Sequence, residues 1–256
     1  MKDINIKKDF DLMGKTAIIT GAGRGIGKSI AQLYAEKGAE LVLVGKSSNV
    51  TDVEREIKEY NKNCISLVLD ITEIKNIDRI IKSSMQSFNK IDILINNAGI
   101  VFLEDALSTS PKTWEKTIAV NLSAPFYLSQ AAAREMAKKR SGKIINIASL
   151  ASVLGFDKRS AYCSSKAGLV GLTKALAFEW AKYNINVNAI SPTVTLTEMA
   201  KKAWAGKSGE EMKKKIPMGR FVYPEEIAAM AAFLGSSLSD MITGENIIID
   251  GGYSIN

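Results

Sequence analysis

Short apolar runs recur along the chain, separated by longer stretches in which apolar and polar positions follow helical spacing. The runs are KTAIIT (15–20), ELVLVG (40–45), CISLVLD (64–70), IDILIN (91–96), GKIINIAS (142–149), INVNAIS (185–191) and NIIID (246–250). Each is rich in Ile, Val and Leu with little alternation, the pattern of strands covered on both faces. Helical spacing fills the stretches near 25–38, 51–60, 73–88, 112–139, 160–182 and 224–235. Strand alternating with helix predicts an α/β fold: a doubly wound, seven-stranded parallel sheet with right-handed crossovers and helices on both faces. Ligands of such sheets bind at the carboxyl ends of the strands.

No internal repeat, low-complexity tract or Pro/Gly linker divides the chain, so a single domain over 1–256 is expected. Residues 193–223 break the rhythm between the sixth and seventh strands. This partly helical insertion contains Gly206, Gly209, Pro217 and Trp204. It reads as a lid beside the carboxyl edge or as a surface helical hairpin, and Trp204 as a substrate contact or a packing residue.

The stretch TAIITGAGRGIGKSIAQLYAEKG runs strand, glycine-rich turn, helix. Gly21, Gly23, Gly25 and Gly27 allow a tight turn and close approach of the backbone to a pyrophosphate, and the following helix aims its free N–H groups and positive end there. A Rossmann-type dinucleotide site is therefore predicted. The second strand ends at Gly45, Lys46 and Ser47, with no carboxylate to take the ribose hydroxyls as NAD binders usually have. Lys46, Ser47 and Arg24 suit a 2'-phosphate instead, so NADP(H) is favoured and NAD(H) is the alternative.

Composition narrows the chemistry. The formal net charge is +7, with lysine clusters at 201–202 and 213–215, but no aromatic residues interleave them as a nucleic-acid platform requires. No apolar run is long enough for a membrane helix, and the polar N-terminal MKDINIKKDFDLMGK lacks the apolar core of a signal peptide. Two isolated cysteines, Cys64 and Cys163, give no disulfide framework and point to a reducing cytoplasm, with Cys163 read as a small packing residue. Histidine is absent, so no metal site is expected and any proton transfer must use another residue. Tyr162 and Lys166 stand one turn apart on one helix face. A free tyrosine titrates near 10, so use near pH 7 needs about 4 kcal/mol of preference for phenolate. A nearby ammonium in a partly dry cleft lowers that barrier, and Lys166 is placed to lower the Tyr162 pKa.

Taken in order along the chain, these motifs resemble the short-chain dehydrogenase/reductase family, and the resemblance covers essentially the whole sequence. TGAGRGIG (20–27) is similar to the family's cofactor loop, with Gly21, Arg24, Gly25, Ile26 and Gly27 as implied contacts. Asp70 and the backbone of Ile71 match the adenine-contacting position, and NNAG (96–99) supplies Asn97, Ala98 and Gly99 along the adenosine. The resemblance implies a catalytic set of Asn121, Ser149, Tyr162 and Lys166, with Ser149 preceding Tyr162 by the usual 13 positions. Tyr162 would be the acid/base, Ser149 would bind the substrate oxygen, and Asn121 would hold a water leading to solvent. Tyr162 and Lys166 would also contact the cofactor, Lys166 through the nicotinamide ribose. SPTVTLTEM (191–199) stands where the family has PGxxxT, implying carboxamide contacts from Pro192, Thr195 and Thr197. Thr193 replaces the usual glycine there, and its β-branch restricts the backbone to negative φ.

The same stretch resembles polyol- and ketose-handling members, of the L-xylulose reductase and threitol dehydrogenase type. The function implied is NAD(P)-dependent interconversion of alcohol and carbonyl on a sugar, polyol or small ketone, by hydride transfer. A 3-oxoacyl-[acyl-carrier-protein] reductase and an inactive dinucleotide-binding regulator or scaffold are the alternatives. The partners implied are a small-molecule substrate and copies of the same chain, as a homotetramer, with neither nucleic acid nor membrane.

Overall fold

The structure is a computed structural model that describes residues 10–255. The first nine residues of the polar N-terminal stretch lie outside the described residues. Seven strands form one sheet: β1 (Thr16–Thr20), β2 (Glu40–Gly45), β3 (Cys64–Val68), β4 (Ile93–Asn96), β5 (Gly142–Ile147), β6 (Ile185–Pro192) and β7 (Asn246–Ile249). Their order is β3-β2-β1-β4-β5-β6-β7 and every pairing is parallel. The chain leaves β1 outward to β3 and returns to β4 on the other side of β1. The switch point therefore opens a crevice at the carboxyl ends of β1 and β4.

Alternate residues of each strand feed two apolar layers. Ile19, Leu41, Leu43, Ile93, Ile95 and Ile145 face α1 (Gly25–Glu36), α2 (Asn49–Lys58) and, further along the chain, the helix Pro224–Gly235. Ile18, Val42, Val44, Leu94, Ile144 and Val187 face α3 (Ile74–Phe88) and two helices later in the chain, Ala124–Lys139 and Ser160–Trp180. Core strands covered on both faces explain why the apolar runs showed little alternation. Among the described residues no helix is long and apolar enough to cross a membrane.

The stretch 112–139, expected as one helix, is broken. It consists of α4 (Pro111–Ile118), a π turn at Ala119–Ser123 and α5 (Ala124–Lys139). Pro125 accounts for the break, because it has no N–H to give the carbonyl of residue 121 and its ring crowds that carbonyl. The chain accommodates it by reaching one residue further back, Ala124 N donating to Ala119 O. Ser110 caps the start of α4 by accepting from Thr113 N at 3.1 Å.

Five strands are shorter than their apolar runs, β3 and β5 by two residues at the carboxyl end. After β3 the Asp70 carboxylate accepts from Thr72 N at 3.0 Å and turns the chain away from the sheet. After β5, Ser149 caps a short helical turn at Leu150–Ser152, its hydroxyl accepting from Ala151 N at 3.1 Å. α6 (Ser160–Trp180) follows. A buried polar clamp ties α6 to the sheet: Asn96 donates to Asn146 Oδ1 at 2.8 Å and to Ser129 Oγ at 2.9 Å, and Asn146 donates to Thr173 Oγ1 at 2.9 Å.

The insertion folds as α7 (Glu198–Ala203) and α8 (Lys207–Lys214), before α9 (Pro224–Gly235). It has its own apolar nucleus of Met212, Ile216 and Phe221, with Val194, Leu196 and Trp204 packed against it. The Trp204 and Phe221 rings lie 6.2 Å apart at 56°. The structure thus gives Trp204 a packing partner, and the hairpin a reason to hold its shape.

Candidate functional site

At the end of β1 the chain turns through Gly21 (φ +65°) and Gly25 (φ +55°), conformations that favour glycine. Gly27 is glycine for space: a Cβ there would stand 2.3 Å from Gly21 O and 2.5 Å from Asn97 Nδ2. α1 starts after Arg24, whose side chain makes no cap bond, and its first turn carries no acidic residue. The first N–H groups of the helix, on Gly25, Ile26 and Gly27, have no intrahelical acceptor. An uncapped helix start behind a close-packed glycine turn fits a pyrophosphate.

The next loops along the edge brace this turn. Thr20 Oγ1 accepts from Asn97 N at 3.0 Å and Ala98 N at 3.1 Å, while Asn97 Nδ2 donates to Thr20 O at 2.9 Å and Gly21 O at 3.2 Å. The Asn97 side chain and the N–H groups of Asn97 and Ala98 are thus committed to the glycine turn. Thr20 was not singled out in the sequence, since a threonine inside an apolar run carries no signal of what its hydroxyl bonds.

On the adenosine side, Gly23 lies against the start of α2, a Cβ there meeting Val50 N at 3.0 Å. Lys46 and Ser47 are exposed just after β2. Lys46 Nζ pairs with Asp70 Oδ2 at 2.5 Å, and Asp70 Oδ1 also accepts from Thr72 Oγ1 at 2.8 Å. Burial pushes the Asp70 carboxyl up, but the Lys46 and Thr72 hydrogen bonds outweigh it and hold the net pKa below the usual carboxylate range. Ile71 is buried beside it.

The four residues of the expected catalytic set converge around the ends of β4 and β5. Asn121 sits fully buried in the π turn. Its side chain grips Ile100, Oδ1 accepting from Ile100 N at 2.9 Å and Nδ2 donating to Ile100 O at 2.9 Å. Its own carbonyl has lost its α-helical donor to Pro125, as that of Val120 has to the Ala124–Ala119 bond. Lys166 is buried, and its ammonium donates to Ile147 O at 2.8 Å and lies 5.8 Å from the Tyr162 ring centroid. A Cβ on Gly99 would be 3.5 Å from Lys166 Nζ and 3.4 Å from Asn121 Oδ1, so Gly99 leaves open space in front of both. Ser149 lies close enough to Tyr162 to draw its pKa down.

The electrostatics correct one expectation. The Tyr162 pKa is raised, not lowered: burial pushes it up more than the nearby Ser149 pulls it down. Lys166 is itself depressed by burial, to about 8. A dry cleft penalises both charged forms, so the chain alone keeps Tyr162 protonated.

From the other side comes the loop after β6. Thr193 N donates to Ile249 O at 3.1 Å, extending the β6–β7 ladder past Pro192, and Thr193 keeps a negative φ as its β-branch demands. Thr195 is buried and bridges to Val222, and Thr197 caps α7 by accepting from Ala200 N at 3.3 Å. The Thr197 methyl lies 3.0 Å from where a Gly25 Cβ would be, so this loop meets the glycine turn across the crevice. Besides Thr20, the sequence reading missed the π turn, which Pro125 signals; Ser165, which accepts from Asn121; and the Asn146–Thr173 clamp.

The family model described as Enoyl-(Acyl carrier protein) reductase matches residues 21–254. The chain belongs to the short-chain dehydrogenase/reductase family. Among its family relatives, an NAD-dependent glycerol dehydrogenase of Listeria innocua serovar 6a is 52% identical over 97% of each chain. A D-threitol dehydrogenase of Mycolicibacterium smegmatis is 40% identical over 99% of this chain and 98% of its own. A gluconate 5-dehydrogenase from Burkholderia cenocepacia, solved in complex with NADP and tartrate, superposes with a TM-score of 0.92 at 32% identity, covering 97% of this chain and 98% of its own. This short-chain dehydrogenase/reductase is thus an NAD(P)-dependent oxidoreductase that acts on CH–OH groups.

Proposed function

We propose that the protein interconverts a small polyol, or a related sugar compound, and its ketone. Tyr162 carries the proton, and NADP(H) is the favoured cofactor, with NAD(H) accepted. What carries the substrate class is similarity over nearly full length to relatives named for glycerol and threitol. The bound nicotinamide dinucleotide supplies or takes up the hydride.

The residues of the chain do the rest. The glycine turn and the start of α1 hold the pyrophosphate, and the backbone of Asn97, Ala98 and Gly99 lines the adenosine path. Asp70 and Ile71 bound the adenine. Lys46, Ser47 and Arg24 take a 2'-phosphate, because an exposed ion pair such as Lys46–Asp70 is weak and exchanges its carboxylate for phosphate at little cost. Pro192, Thr195 and Thr197 close over the nicotinamide side.

In the reducing direction Tyr162 Oη gives its proton to the substrate oxygen while Ser149 Oγ hydrogen-bonds that oxygen. The protonated tyrosine of the free chain suits this role. Lys166 holds the ribose hydroxyls through Nζ and stabilises the phenolate left behind. Water held at the carbonyls of Val120 and Asn121, which lack their α-helical donors, returns the proton toward Lys166. In the oxidising direction each step reverses, with Tyr162 as base.

The homotetramer belongs to the same proposal, supported by the exposed Phe178 on the outer face of α6. A cytoplasmic setting is supported by two unpaired cysteines, one of them buried. The test is a panel of glycerol, threitol, ketoses, sugar acids and a 3-oxoacyl thioester, each with both cofactors. Highest kcat/KM on a polyol or its ketone is expected. A preference for the thioester, or no turnover at all, overturns the reading.

A further inference from the structure

Ser165 stands between Tyr162 and Lys166 in the chain and is fully buried. Its hydroxyl donates to the carbonyl oxygen of Tyr162 at 2.8 Å and accepts from Asn121 Nδ2 at 3.0 Å. Asn121 in turn holds Ile100 by both ends of its amide. A continuous run of hydrogen bonds through the buried Asn121 and Ser165 side chains thus joins the loop after β4, the π turn and the first turn of α6. Lys166 is near this run, since a Cβ on Gly99 would lie 3.5 Å from Lys166 Nζ and 3.4 Å from Asn121 Oδ1.

Other polar ties of α6 lie elsewhere. The Thr173–Asn146 bond is two turns further along, and the Lys166 ammonium reaches β5. Near Tyr162, Ser165 is the side chain that fixes the helix to the π turn. A serine hydroxyl bonded back to the i−3 carbonyl does nothing for the helix itself, which alanine would favour. Its use is the second bond, outward to Asn121.

We propose that Ser165 is a positioning residue for the reaction: by coupling α6 to Asn121 it sets the height and rotation of Tyr162. This rests on the role proposed for Tyr162. Ser165 touches neither substrate nor cofactor, so its loss acts on the rate of the proton-coupled step and not on binding. Small misplacement of a reacting group is costly when the neighbouring groups stay fixed.

The experiment is steady-state kinetics on the best polyol of the panel, with cofactor Kd from nucleotide fluorescence, for Ser165→Ala, Ser165→Thr and Tyr162→Phe. For Ser165→Ala we expect kcat to fall about tenfold while polyol KM and cofactor Kd stay within about twofold. Ser165→Thr keeps the hydroxyl, in rotamers a helix allows, and should recover most of the lost kcat. If Ser165→Ala fails to fold, Ser165→Cys, with its weak thiol donor, carries the same expectation of reduced kcat at unchanged KM. Unchanged kcat in the hydroxyl-free variant, or a loss that threonine does not restore, overturns the proposal. Turnover by Tyr162→Phe instead overturns the reading of Tyr162. An inactive Tyr162→Phe beside a fully active Ser165→Ala removes this inference alone.

Discussion

Lys166 Nζ donates to the carbonyl oxygen of Ile147 at 2.8 Å, and burial alone governs its titration, drawing the ammonium down to about 8. The unfolded chain would titrate this lysine near 10.5. Between those values the unfolded state holds more of this lysine's proton, so the contribution of Lys166 to the stability of the free protein rises with pH from 8 to 10.5. Below pH 8 the fold carries the full cost of a buried ammonium. Lys166→Met removes the charge at the expense of one hydrogen bond, and should gain on the order of 2 kcal/mol at pH 7. Urea unfolding across pH 7–11 checks both statements. A stability difference between Lys166→Met and wild type that stays constant over that window would contradict the assigned burial.

Tyr162→Phe keeps the ring that packs in the cleft and removes only the hydroxyl. Turnover should drop roughly 10²–10⁴-fold, the range for loss of a general acid, while cofactor Kd stays nearly unchanged. Because burial raises the Tyr162 pKa, carbonyl reduction by the wild type should persist to higher pH than an ordinary phenol would allow. Rates of reduction measured from pH 6 to 11 test this, and an early alkaline collapse counts against Tyr162 as the acid.

What could be read in advance follows from where each signal lives. β2 and α9 match the expected 40–45 and 224–235 because their ends carry local chemistry. Pro224 suits a first helical position, and Glu226 accepts from Tyr223 N at 2.8 Å. The stretch 112–139 misled because the apolar spacing runs on through the break, and the cause is a missing N–H at Pro125 rather than a change of pattern. The Lys46–Asp70 pair needs the register of β2 against β3, in which Gly45 pairs with Val68. Nothing along the chain gives that register. The direction of the Tyr162 shift was misjudged because helical spacing gives the neighbour but not the burial, and burial acts on both residues.

Lys46 offers the clearest separation of the two cofactors. Lys46→Ala should weaken NADPH roughly tenfold, as expected for loss of a charge-assisted contact to phosphate, and leave NADH nearly unaffected. Asp70 bears on the same point, since it competes with phosphate for the ammonium at 2.5 Å. Asp70→Asn should therefore tighten NADPH relative to NADH. Titration of each variant with both nucleotides decides it, and equal changes for both would remove Lys46 as the phosphate partner.

Gly27→Ala tests whether the turn after β1 is a built cradle. The added methyl would fall 2.3 Å from Gly21 O and 2.5 Å from Asn97 Nδ2, both tied to β1 and β4. Neither can yield without opening the bonds that shape the turn. Overpacking of this kind costs about 1–3 kcal/mol, and the distortion should fall on cofactor affinity at least as heavily as on stability. Thermal unfolding with and without NADPH checks it: the stabilising shift that the cofactor gives the wild type should be lost.

Pro125→Ala puts an N–H where the chain now has none. The new donor lies four residues on from Asn121, so it can satisfy the carbonyl proposed to hold the relay water and let the π turn relax toward an α-helix. Restored helical bonding should leave stability equal or higher. The rate should move the other way, with kcat lower but by less than for Tyr162→Phe, because a relay water and not the proton donor itself is lost. Binding should be unaffected, because the Asn121 side chain keeps its two bonds to Ile100. The decisive comparison is kcat against unfolding free energy in the same variant. A rise in stability at unchanged kcat would show that the π turn merely accommodates Pro125, and that the proton takes another route from Lys166.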